Sequence, residues 1–531
     1  MTVRTQTRYP TTVVSDDAVG TLAWTTPEEA EAQDGVYAEA ENPGSDVAQS
    51  ERLKFTDFGF DCPSNATVLG RKRTIRRKVA LGGVSHVATS NSVSVSVSGT
   101  GATVTLSIPK QVGTKKGDVL VAAVAARKSE ESGYTPAIAP APDWTFQVAS
   151  THSITGGTDR RYRTSLFTYV ALEDYDAEPA TYDFEVSVPS ALEGNLAAIG
   201  MASVFRGGRI GEVASQWTSS SGTNITAASV TTVADNAMLV GAYWALYVGD
   251  TSFTAPSGLT ERREGFSGPP SNDMNLMICD GVQATAGASG SKSGTVSDSS
   301  TRTHGILMVI EPSQATDEEC YLVLADGSLG TENKALAGEW STDDTDAEYG
   351  AADDLWSSEV GNPADVNDAD SGGALSVNVP PGATVKVDLV EDEVTYNCFL
   401  TITPTTTTID SPGDTLEATF AFDGGACVLN NTRWRIYADA AGTQLVYDSG
   451  SVVSSATSHV IGSGTPTLAW AAPLGDTTYY LRVTGTEDGT ADPDGVGDPI
   501  SGDSGLVSFI TDWTLPTAPT GLAAVAVTEA P

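Results

Sequence analysis

The chain has 531 residues, which exceeds the size at which one hydrophobic core stops growing, so about three or four domains are expected. Its 68 Asp and Glu outnumber its 29 Lys and Arg, and the formal net charge of −39 disfavours non-specific binding to nucleic acid or anionic membranes. Five unevenly spaced cysteines do not have the pattern of a disulfide framework, and the longest apolar runs, such as residues 119–126, are far shorter than the roughly 20 residues of a membrane helix.

The spacing of the apolar runs predicts the fold class. They are short and are interrupted by Gly, Pro, Asn or Asp about every ten residues, which is typical of the strands of a sandwich. We therefore expect an all-β chain made of tandem β-sandwich domains.

Two distant segments each contain half of a sandwich. Residues 1–88 include "LKFTDFGF", which alternates apolar and polar positions at period two, and a strand that begins at Val68. Residues 319–398 include "TVKVDLVEDEVTY", in which Val385, Val387, Leu389 and Val394 are available for a core face. Because neither segment has enough strands to cover its own apolar face, we expect them to pack together as one split domain.

The residues between these segments form a separate unit. Within residues 89–318 the runs "VLVAAVAA", "AIGMASVF", "AMLVGAYW" and "ILMVI" are continuous rather than alternating, as expected for strands covered on both faces. This predicts one inserted sandwich. Residues 399–515 show about seven short strands, the pattern of an immunoglobulin or fibronectin type III domain, and residues 516–531 are expected to be a tail or linker.

The motifs of the split domain resemble those of a known group of proteins. A Trp-Thr-x-Pro opening, "DGVYAEA", "LKFTDFGF" and "PSNATVLG" are followed by "LGTENKA", "YGAADDLW", "DVN" and "VDLVEDEVTY". This pattern is similar to a domain of minor structural proteins of tailed phages and tailed archaeal viruses, in which the two parts adjoin. In the inserted unit, "KKGDVLVAAVA" and "PDWTFQ" resemble a jelly-roll-like sandwich module of phage tail and adhesin proteins.

This resemblance implies a non-enzymatic structural protein of a virion, at the tail tip, baseplate or fibre of the particle. The expected partners are other virion proteins, further copies in a symmetric homo-oligomer, and a host surface glycan or receptor. The first residues lack the apolar segment of a signal peptide, so we expect synthesis in the host cytoplasm and no membrane insertion. Two alternatives stay open, a carbohydrate-binding adhesin of a cell surface and a glycan hydrolase, which would need paired carboxylates.

A basic run in this acidic chain is the first candidate interface. A strand through it projects basic side chains from both faces, and we expect them to pair with acidic residues of the same chain or of a neighbouring subunit. Solvent exposure and nucleic-acid contact are the alternatives. The basic residues are Arg71, Lys72, Arg73, Arg76, Arg77 and Lys78, and the candidate acidic partners are Asp343, Asp344, Asp346, Asp353 and Asp354.

Other motifs carry weaker signals. "GDSG" at 502–505 resembles a serine-protease loop, but His459 precedes Ser504 too closely for two barrels to form between them, so we interpret it as a turn and predict no catalytic residue. The Asp-rich segments 343–346 and 488–498 lack the spacing of an EF-hand, which leaves calcium and plain solvated turns both open and no other cofactor expected. The four His are scattered, and Trp144, Trp217, Trp244 and Trp434 could line a glycan site but are typical of sandwich cores.

Overall fold

A computed structural model describes residues 2–398 apart from short gaps, and parts of the chain beyond them. The gaps are residues 63, 65, 99–102, 130–133, 155–159, 189–194, 219–220, 247–248, 250, 268–273 and 301. Beyond 398 it describes residues 408–409, 417–419, 429–450, 452–453, 458–460, 477–487, 501–503 and 507–511.

The regular secondary structure of the described residues is nearly all β-strand, which confirms the predicted all-β fold class. The two helices of the described part are single turns, a 3₁₀ helix at Pro27–Ala30 and an α-helix, α1, at Pro363–Val366. No helix in that part is long and apolar enough to cross a bilayer.

The strands follow one another along the described residues, joined by turns and by loops of different lengths. The first segment contains β1 Thr2–Arg8, β2 Thr12–Asp16, β3 Ala38–Glu41, β4 Ala48–Gln49, β5 Arg52–Thr56 and β6 Thr67–Ala80. The first half of the insertion contains β7 Ser85–Thr89, β8 Val93–Ser98, β9 Thr103–Pro109, β10 Val119–Ser129, β11 Ala137–Ala139, β12 Thr145–Ile154, β13 Arg160–Val170, β14 Thr181–Ser187 and β15 Asn195–Arg206. The second half contains β16 Gly208–Thr218, β17 Gly222–Ala227, β18 Thr231–Thr232, β19 Ala237–Leu246, β20 Phe253–Thr254, β21 Thr260–Phe266, β22 Met274–Gln283, β23 Gly287–Ala288, β24 Lys292–Ser300 and β25 Arg302–Pro312.

The remaining strands lie after the insertion. They are β26 Thr316–Val323, β27 Thr345–Gly350, β28 Gly372–Val379 and β29 Thr384–Cys398. The last part of the chain contains β30 Thr408–Ile409, β31 Glu417–Thr419, β32 Leu429–Tyr437, β33 Leu445–Asp448, β34 Val452–Val453, β35 Ser458–Val460, β36 Thr477–Glu487, β37 Ser501–Asp503 and β38 Val507–Thr511.

Strands from both sides of the insertion share two sheets. One sheet has the order β1-β29-β6-β27, with β3 also on β29, and the other has the order β2-β5-β28-β26, with β4 also on β28. The two sheets enclose one core, to which Phe55 and Ile75 contribute from before the insertion and Val377 and Val390 from after it. Two segments separated by about 230 residues of sequence thus form a single sandwich.

The boundaries of the insertion differ slightly from those expected. β7 begins at Ser85 and pairs with β15, so residues 85–88 belong to the inserted sheets, and β26 of the split sandwich begins at Thr316 rather than 319. No run of turn residues separates β25 from β26, since only 313–315 lie between them, and the sequence therefore carries no signal of a break there.

The insertion contains two sandwiches with the same strand order, where the sequence analysis expected one. In the first, the large sheet runs β12-β13-β10-β15 with β7 and β8 on β15, and the small sheet runs β11-β14-β9. In the second, the large sheet runs β21-β22-β19-β25-β16 and the small sheet runs β20-β24-β17. The order along the chain also corresponds, so the second half repeats the first.

The two large sheets pack face to face and give the insertion four layers. One core lies between them, where Val121 and Ile199 meet Val240 and Met308, and two further cores lie between each large sheet and its small sheet. This arrangement explains why the strands of the large sheets are continuously apolar, because each of their faces is buried. A single sandwich would leave one of those faces in water.

The chain enters and leaves the insertion at one place. A Cβ on Gly208 would lie 3.0 Å from Val84 on the entering chain and 2.3 Å from Ile310 on the leaving strand, so only glycine fits between them. We call this the proximal end of the inserted domain. Beyond residue 398 the described strands form a sheet of order β30-β38-β36-β32-β33 and a pair β31-β35, while residues 516–531 lie outside the described part.

Pairing of β6 with β29 can be tested with an engineered disulfide. Thr74 lies opposite Glu391, and opposed Cα atoms are about 4.5 to 5.5 Å apart, within the range of a disulfide. We expect Thr74→Cys/Glu391→Cys to oxidise in the folded protein and to close a loop that makes the denatured, unreduced chain migrate faster in electrophoresis. Thr74→Cys/Lys386→Cys is the control, since Lys386 lies opposite Lys78, about 13 Å along the strand. Equal oxidation of both variants would contradict the register.

Candidate functional site

The basic run forms the central part of β6, and its side chains point alternately to two different environments. A β-bulge near Leu69 shifts the phase, after which Arg71, Arg73 and Arg77 face the other sheet of the sandwich and are buried. Lys72 and its alternate neighbours along the strand lie on the outer face and are partly exposed. Three of the six basic residues are therefore in the core of the split sandwich.

Arg71 and Arg73 share one buried carboxylate, that of Asp392 on the neighbouring strand β29. The Nε groups of Arg71 and Arg73 donate to its two oxygens over 2.7 and 2.8 Å, and all three side chains are at most 1% exposed. Arg71 also donates to the Ser371 hydroxyl at 3.1 Å, and Arg73 donates to the Gly372 carbonyl at 3.0 Å. Burial of these charges is tolerated because each is paired and hydrogen-bonded.

Aromatic rings and a glycine complete the surroundings of Arg73. Its guanidinium carbon lies 4.7 Å from the ring centroid of Phe55 and 5.3 Å from that of Trp356. A Cβ on Gly373 would lie 2.2 Å from the same carbon, so glycine is required for the guanidinium to approach the backbone of β28. Residues from both segments thus enclose this cation.

Arg77 is the third buried arginine and pairs with Asp317 on β26. Asp317 also accepts from the indole Nε1 of Trp340 at 2.7 Å, the Tyr349 hydroxyl at 2.9 Å and the Leu336 backbone N–H at 3.0 Å. Arg77 additionally donates to Tyr349 and lies 4.6 Å from the ring centroid of Trp340. The carboxylate therefore links β6, β26 and β27 through one set of hydrogen bonds.

The outer face of β6 is paired with a second set of carboxylates. Its three cations lie between the acidic residues of β27 and its preceding loop and those of β29. Such partly exposed pairs contribute little, typically under about 1 kcal/mol each. The pairs are Lys72 with Glu348 and Glu393 (3.6 and 3.8 Å), Arg76 with Asp346 and Asp388 (3.3 and 3.5 Å), and Lys78 with Asp344 (3.2 Å).

The five acidic residues predicted as partners divide into three groups. Asp344 and Asp346 pair with the basic strand, whereas Asp354 pairs with Lys334 at 2.9 Å instead. Asp343 and Asp353 are exposed and make no ion pair with any residue that the structure describes.

The sequence analysis did not identify Asp392, Asp317 and Asp388 as partners. One signal was present, because Asp392 lies between Val390 and Val394 at period two on an apolar face, and an acid in that position needs a buried cation. A β-bulge makes this pattern difficult to recognise in the sequence. Asp388 is the extra residue of the bulge, and beyond it the alternation of inward-facing and outward-facing residues along β29 is shifted by one. Leu389, expected on the core face, consequently lies outside the main core cluster, and Val390 takes that face.

Electrostatically, the basic strand is neutralised within the chain. Each of its six cations lies within 4.0 Å of a carboxylate of the same chain, so the run does not present a surplus of positive charge to an anion. Burial alone would raise the pKa of Asp392, but the charges and hydrogen bonds of Arg71 and Arg73 outweigh burial and hold that pKa below its usual value. The strand therefore acts as an ionic connection between the two halves of the split sandwich.

The structure also places the weaker candidates. Trp144, Trp244 and Trp434 are buried, whereas Trp217 is 36% exposed. Gly502 and Asp503 lie in β37, while Ser504 and residues 488–498 lie outside the described part. The thiols of Cys62, Cys279 and Cys320 are free and buried.

The scattered histidines are partly brought together by the fold. The ring centroids of His152 and His304 are 5.4 Å apart, although 152 positions of sequence separate the two residues. Within the described ranges, no group of three or more His, Cys, Asp or Glu is placed to hold a metal ion.

A cleft of about 440 Å³ lies where the inserted domain meets the split sandwich. It is lined by residues 79–81, 233–236, Ala286, Gln314 and Thr342, and Asp235 supplies the one carboxylate among these described residues. The pair of carboxylates that glycoside hydrolysis uses is not present in this lining.

Comparisons with known proteins add no assignment. No protein-family model matches the sequence, and no curated protein sequence matches it. The resemblance to tailed-virus proteins therefore depends on the short motifs of the split domain and the inserted unit.

Replacing the shared carboxylate should destabilise the split sandwich strongly. Asp392→Asn leaves two buried guanidinium groups without a counter-charge, and we expect a loss of about 3 to 5 kcal/mol in the free energy of unfolding, measured with urea. Glu348→Gln on the outer face is the matched control and should cost under about 1 kcal/mol. Similar losses in the two variants would contradict a special role of the buried pair.

The contribution of Asp392 should depend on pH in one direction. Because its folded-state pKa is lowered, its stabilising effect is complete above the unfolded-state value of about 4 and is lost as the pH falls through the lower folded-state value. The difference in stability between the wild type and Asp392→Asn should therefore be constant from pH 7 to about pH 5 and shrink below about pH 4. A difference that already shrinks between pH 7 and pH 5 would show instead that the pKa is raised.

Proposed function

We propose that this chain is a non-enzymatic structural component of a tailed-virus particle, located at the tail tip, baseplate or fibre. In this role the split sandwich assembles with other virion proteins and with further copies of the chain, and the inserted domain contacts the host surface. The motif resemblance of both units supports the class of protein.

The path of the chain through the inserted domain carries the proposal. Entry and exit both lie against Gly208, so among the described residues a four-layer domain of more than 200 residues joins the split sandwich at its proximal end. The ion pairs Lys115–Asp46 (3.6 Å) and Arg209–Glu339 (3.6 Å) and the cleft at residues 79–81 lie at the same junction. The opposite end is therefore directed away from the split sandwich, which supports the proposed contact with another surface.

The charge and the modular architecture agree with this role. An acidic chain does not adhere non-specifically to nucleic acid during assembly in a cytoplasm, because like charges repel. When an outward-facing domain is repeated on a symmetric particle, the avidity exceeds the affinity of a single domain by roughly 10² to 10⁴, without any new contact. Weak individual contacts would then suffice for attachment.

A deletion that uses the shared entry and exit of the inserted domain tests the proposal. Residues 85–312 are replaced by a short Gly-Ser linker, since both ends meet at Gly208, and the variant is supplied to particles that lack the native chain. We expect the shortened chain to be incorporated, as detected by cryo-electron microscopy, and the particles to lose adsorption to host cells.

The control for this deletion is the full chain with Arg209→Gln, which alters one exposed junction residue and should leave incorporation and adsorption unchanged. Absence of the native chain from purified particles would refute the structural role. Normal adsorption of particles that carry the shortened chain would refute the attachment role.

A further inference from the structure

Strand β1 lies at the edge of a sheet of the split sandwich and has one side without a partner strand. It pairs with β29 along all seven of its residues. Within the described residues, no strand pairs with its other side, and no loop bonds to the backbone of Val3, Thr5 or Thr7. An unpaired edge of this length is a template on which a further strand can pair through main-chain hydrogen bonds.

The pairing across the sheet determines which backbone groups point to this side. Arg71 of β6 donates its N–H to Asp354 on the β27 side, so the preceding residue, Gly70, directs its N–H and C=O to β29. Thr395 lies opposite Gly70 and therefore directs its own N–H and C=O away from β1. Thr5 lies opposite Thr395. The N–H and C=O of Thr5 consequently point to the side of β1 that has no partner strand.

The outer face of β1 carries no charge. Val3 and Thr7 alternate with the inward-facing residues and share the backbone direction of Thr5. The Val3 side chain is 59% exposed, and those of Thr5 and Thr7 are partly exposed. The Thr7 carbonyl accepts from the Arg8 side chain at 3.0 Å and keeps a second lone pair for another donor. Neither charge nor bulk on this face opposes an approaching strand.

The inner face holds β1 in position. The amide Nε2 of Gln6 donates to the Tyr396 hydroxyl at 3.0 Å, and the Asp61 backbone N–H donates to Oε1 of Gln6 at 3.2 Å. Arg4 and Gln6 are both buried. Because the strand is ordered in the single chain, pairing with a further strand does not have to order it, and the entropic cost of association is smaller.

Two other edges of the split sandwich differ from β1. The loop after β26 covers that strand, as shown by the Gly330 N–H, which donates to the Leu322 carbonyl at 2.9 Å. At β27, Asp346 and Glu348 have side chains that are 55% and 63% exposed. Charges along an edge disfavour pairing with a second copy of the same strand. β1 has neither form of protection.

The sequence of β1 is compatible with pairing to itself. Full overlap of two antiparallel copies of residues 2–8 places Thr5 opposite Thr5 of the second copy, at a twofold axis. Val3 then lies opposite Thr7 and Arg4 lies opposite Gln6, so no two like charges are directly opposed. The row through the axis is uncharged in each copy, since Thr5, Thr395 and Gly70 follow one another across the sheet.

We propose that β1 is the contact through which two copies of this chain associate, with the two strands paired antiparallel about Thr5 so that one sheet continues through both split sandwiches. About six main-chain hydrogen bonds would join the copies. This inference rests on the proposed assembly with further copies of the chain and names the surface that is used. Pairing of the edge with a strand from residues 399–407, which lie outside the described part, is the competing outcome.

An engineered disulfide tests the contact in the full chain. Opposed residues at the axis have Cα atoms about 5.5 Å apart, within the range of a disulfide. We expect Thr5→Cys to form a covalent dimer under mild oxidation, detected by electrophoresis of the denatured, unreduced chain. Thr7→Cys is the matched control, because Thr7 lies about 13 Å along the strand from Thr7 of the second copy. Equal cross-linking of the two variants, or none in either, would overturn the proposal.

Sedimentation velocity measures the association without a cross-link. We expect a dimer that dissociates on dilution, and its dissociation constant should fall as salt is raised from about 50 mM to about 500 mM, because salt screens the repulsion between two chains of net charge −39. Thr5→Glu places like charges opposite each other at the axis and should weaken the dimer by about tenfold or more.

A control with the same change of charge uses an exposed threonine of the inserted domain. Thr105→Glu should leave the dissociation constant unchanged, and circular dichroism and unfolding curves establish that both variants are folded. A chain that is monomeric at all concentrations, open-ended aggregation in place of a dimer, or equal effects of Thr5→Glu and Thr105→Glu would each contradict the proposed contact.

The outcomes separate this inference from the structural role. If purified particles contain the native chain but Thr5→Cys does not cross-link, the structural role stands and the contact is wrong. If Thr5→Cys cross-links the purified chain but the native chain is absent from particles, the contact exists and the structural role is wrong.

Discussion

The split sandwich depends on one buried carboxylate, Asp392, held between Arg71 and Arg73. These groups come from strands on either side of the insertion, so they can pair only after the two segments have met. A buried ion pair of this kind adds little net stability compared with apolar residues of the same volume, because desolvation offsets the attraction between the charges. The ion pair instead excludes other arrangements of the strands, because any arrangement that leaves one of these charges buried alone is strongly disfavoured.

The same ion pair selects the register of β6 against β29. A shift by one residue would turn every side chain to the opposite face, so that Arg71, Arg73 and Arg77 would leave the core and the outer cations would enter it. The paired hydrogen bonds of Asp392 with Arg71 and Arg73, and the pair of Asp317 with Arg77, would then be lost. Closing a loop as long as the insertion costs only slightly more than closing a short one, because the cost grows with the logarithm of length. Specific pairing, rather than chain proximity, thus determines how the halves join.

The inserted domain follows a different principle, that of repetition. Each half has a large sheet that is apolar on both faces, and burying the second face requires a partner of the same kind. The second sandwich supplies that partner, and the two large sheets align at both ends. At the proximal end, the packing of the two large sheets brings the entering and leaving parts of the chain together. At the opposite end, it brings together His152 of the first sandwich and His304 of the second. One packing arrangement of the two large sheets therefore produces both the attachment point and the contact between His152 and His304.

The sequence by itself determined the class of fold and the existence of a split domain with an insertion, because period two, short apolar runs and incomplete sets of strands are local properties of the chain. It also determined that the basic run forms a strand with cations on both faces. Only the tertiary structure decided which carboxylates those cations meet, since the bulge at Asp388 changes the phase of β29 and Asp317 approaches β6 from the other sheet. Similarly, continuous apolar strands indicate two covered faces but not what covers them, so the second sandwich and the meeting of His152 with His304 depend on long-range packing that no local pattern encodes.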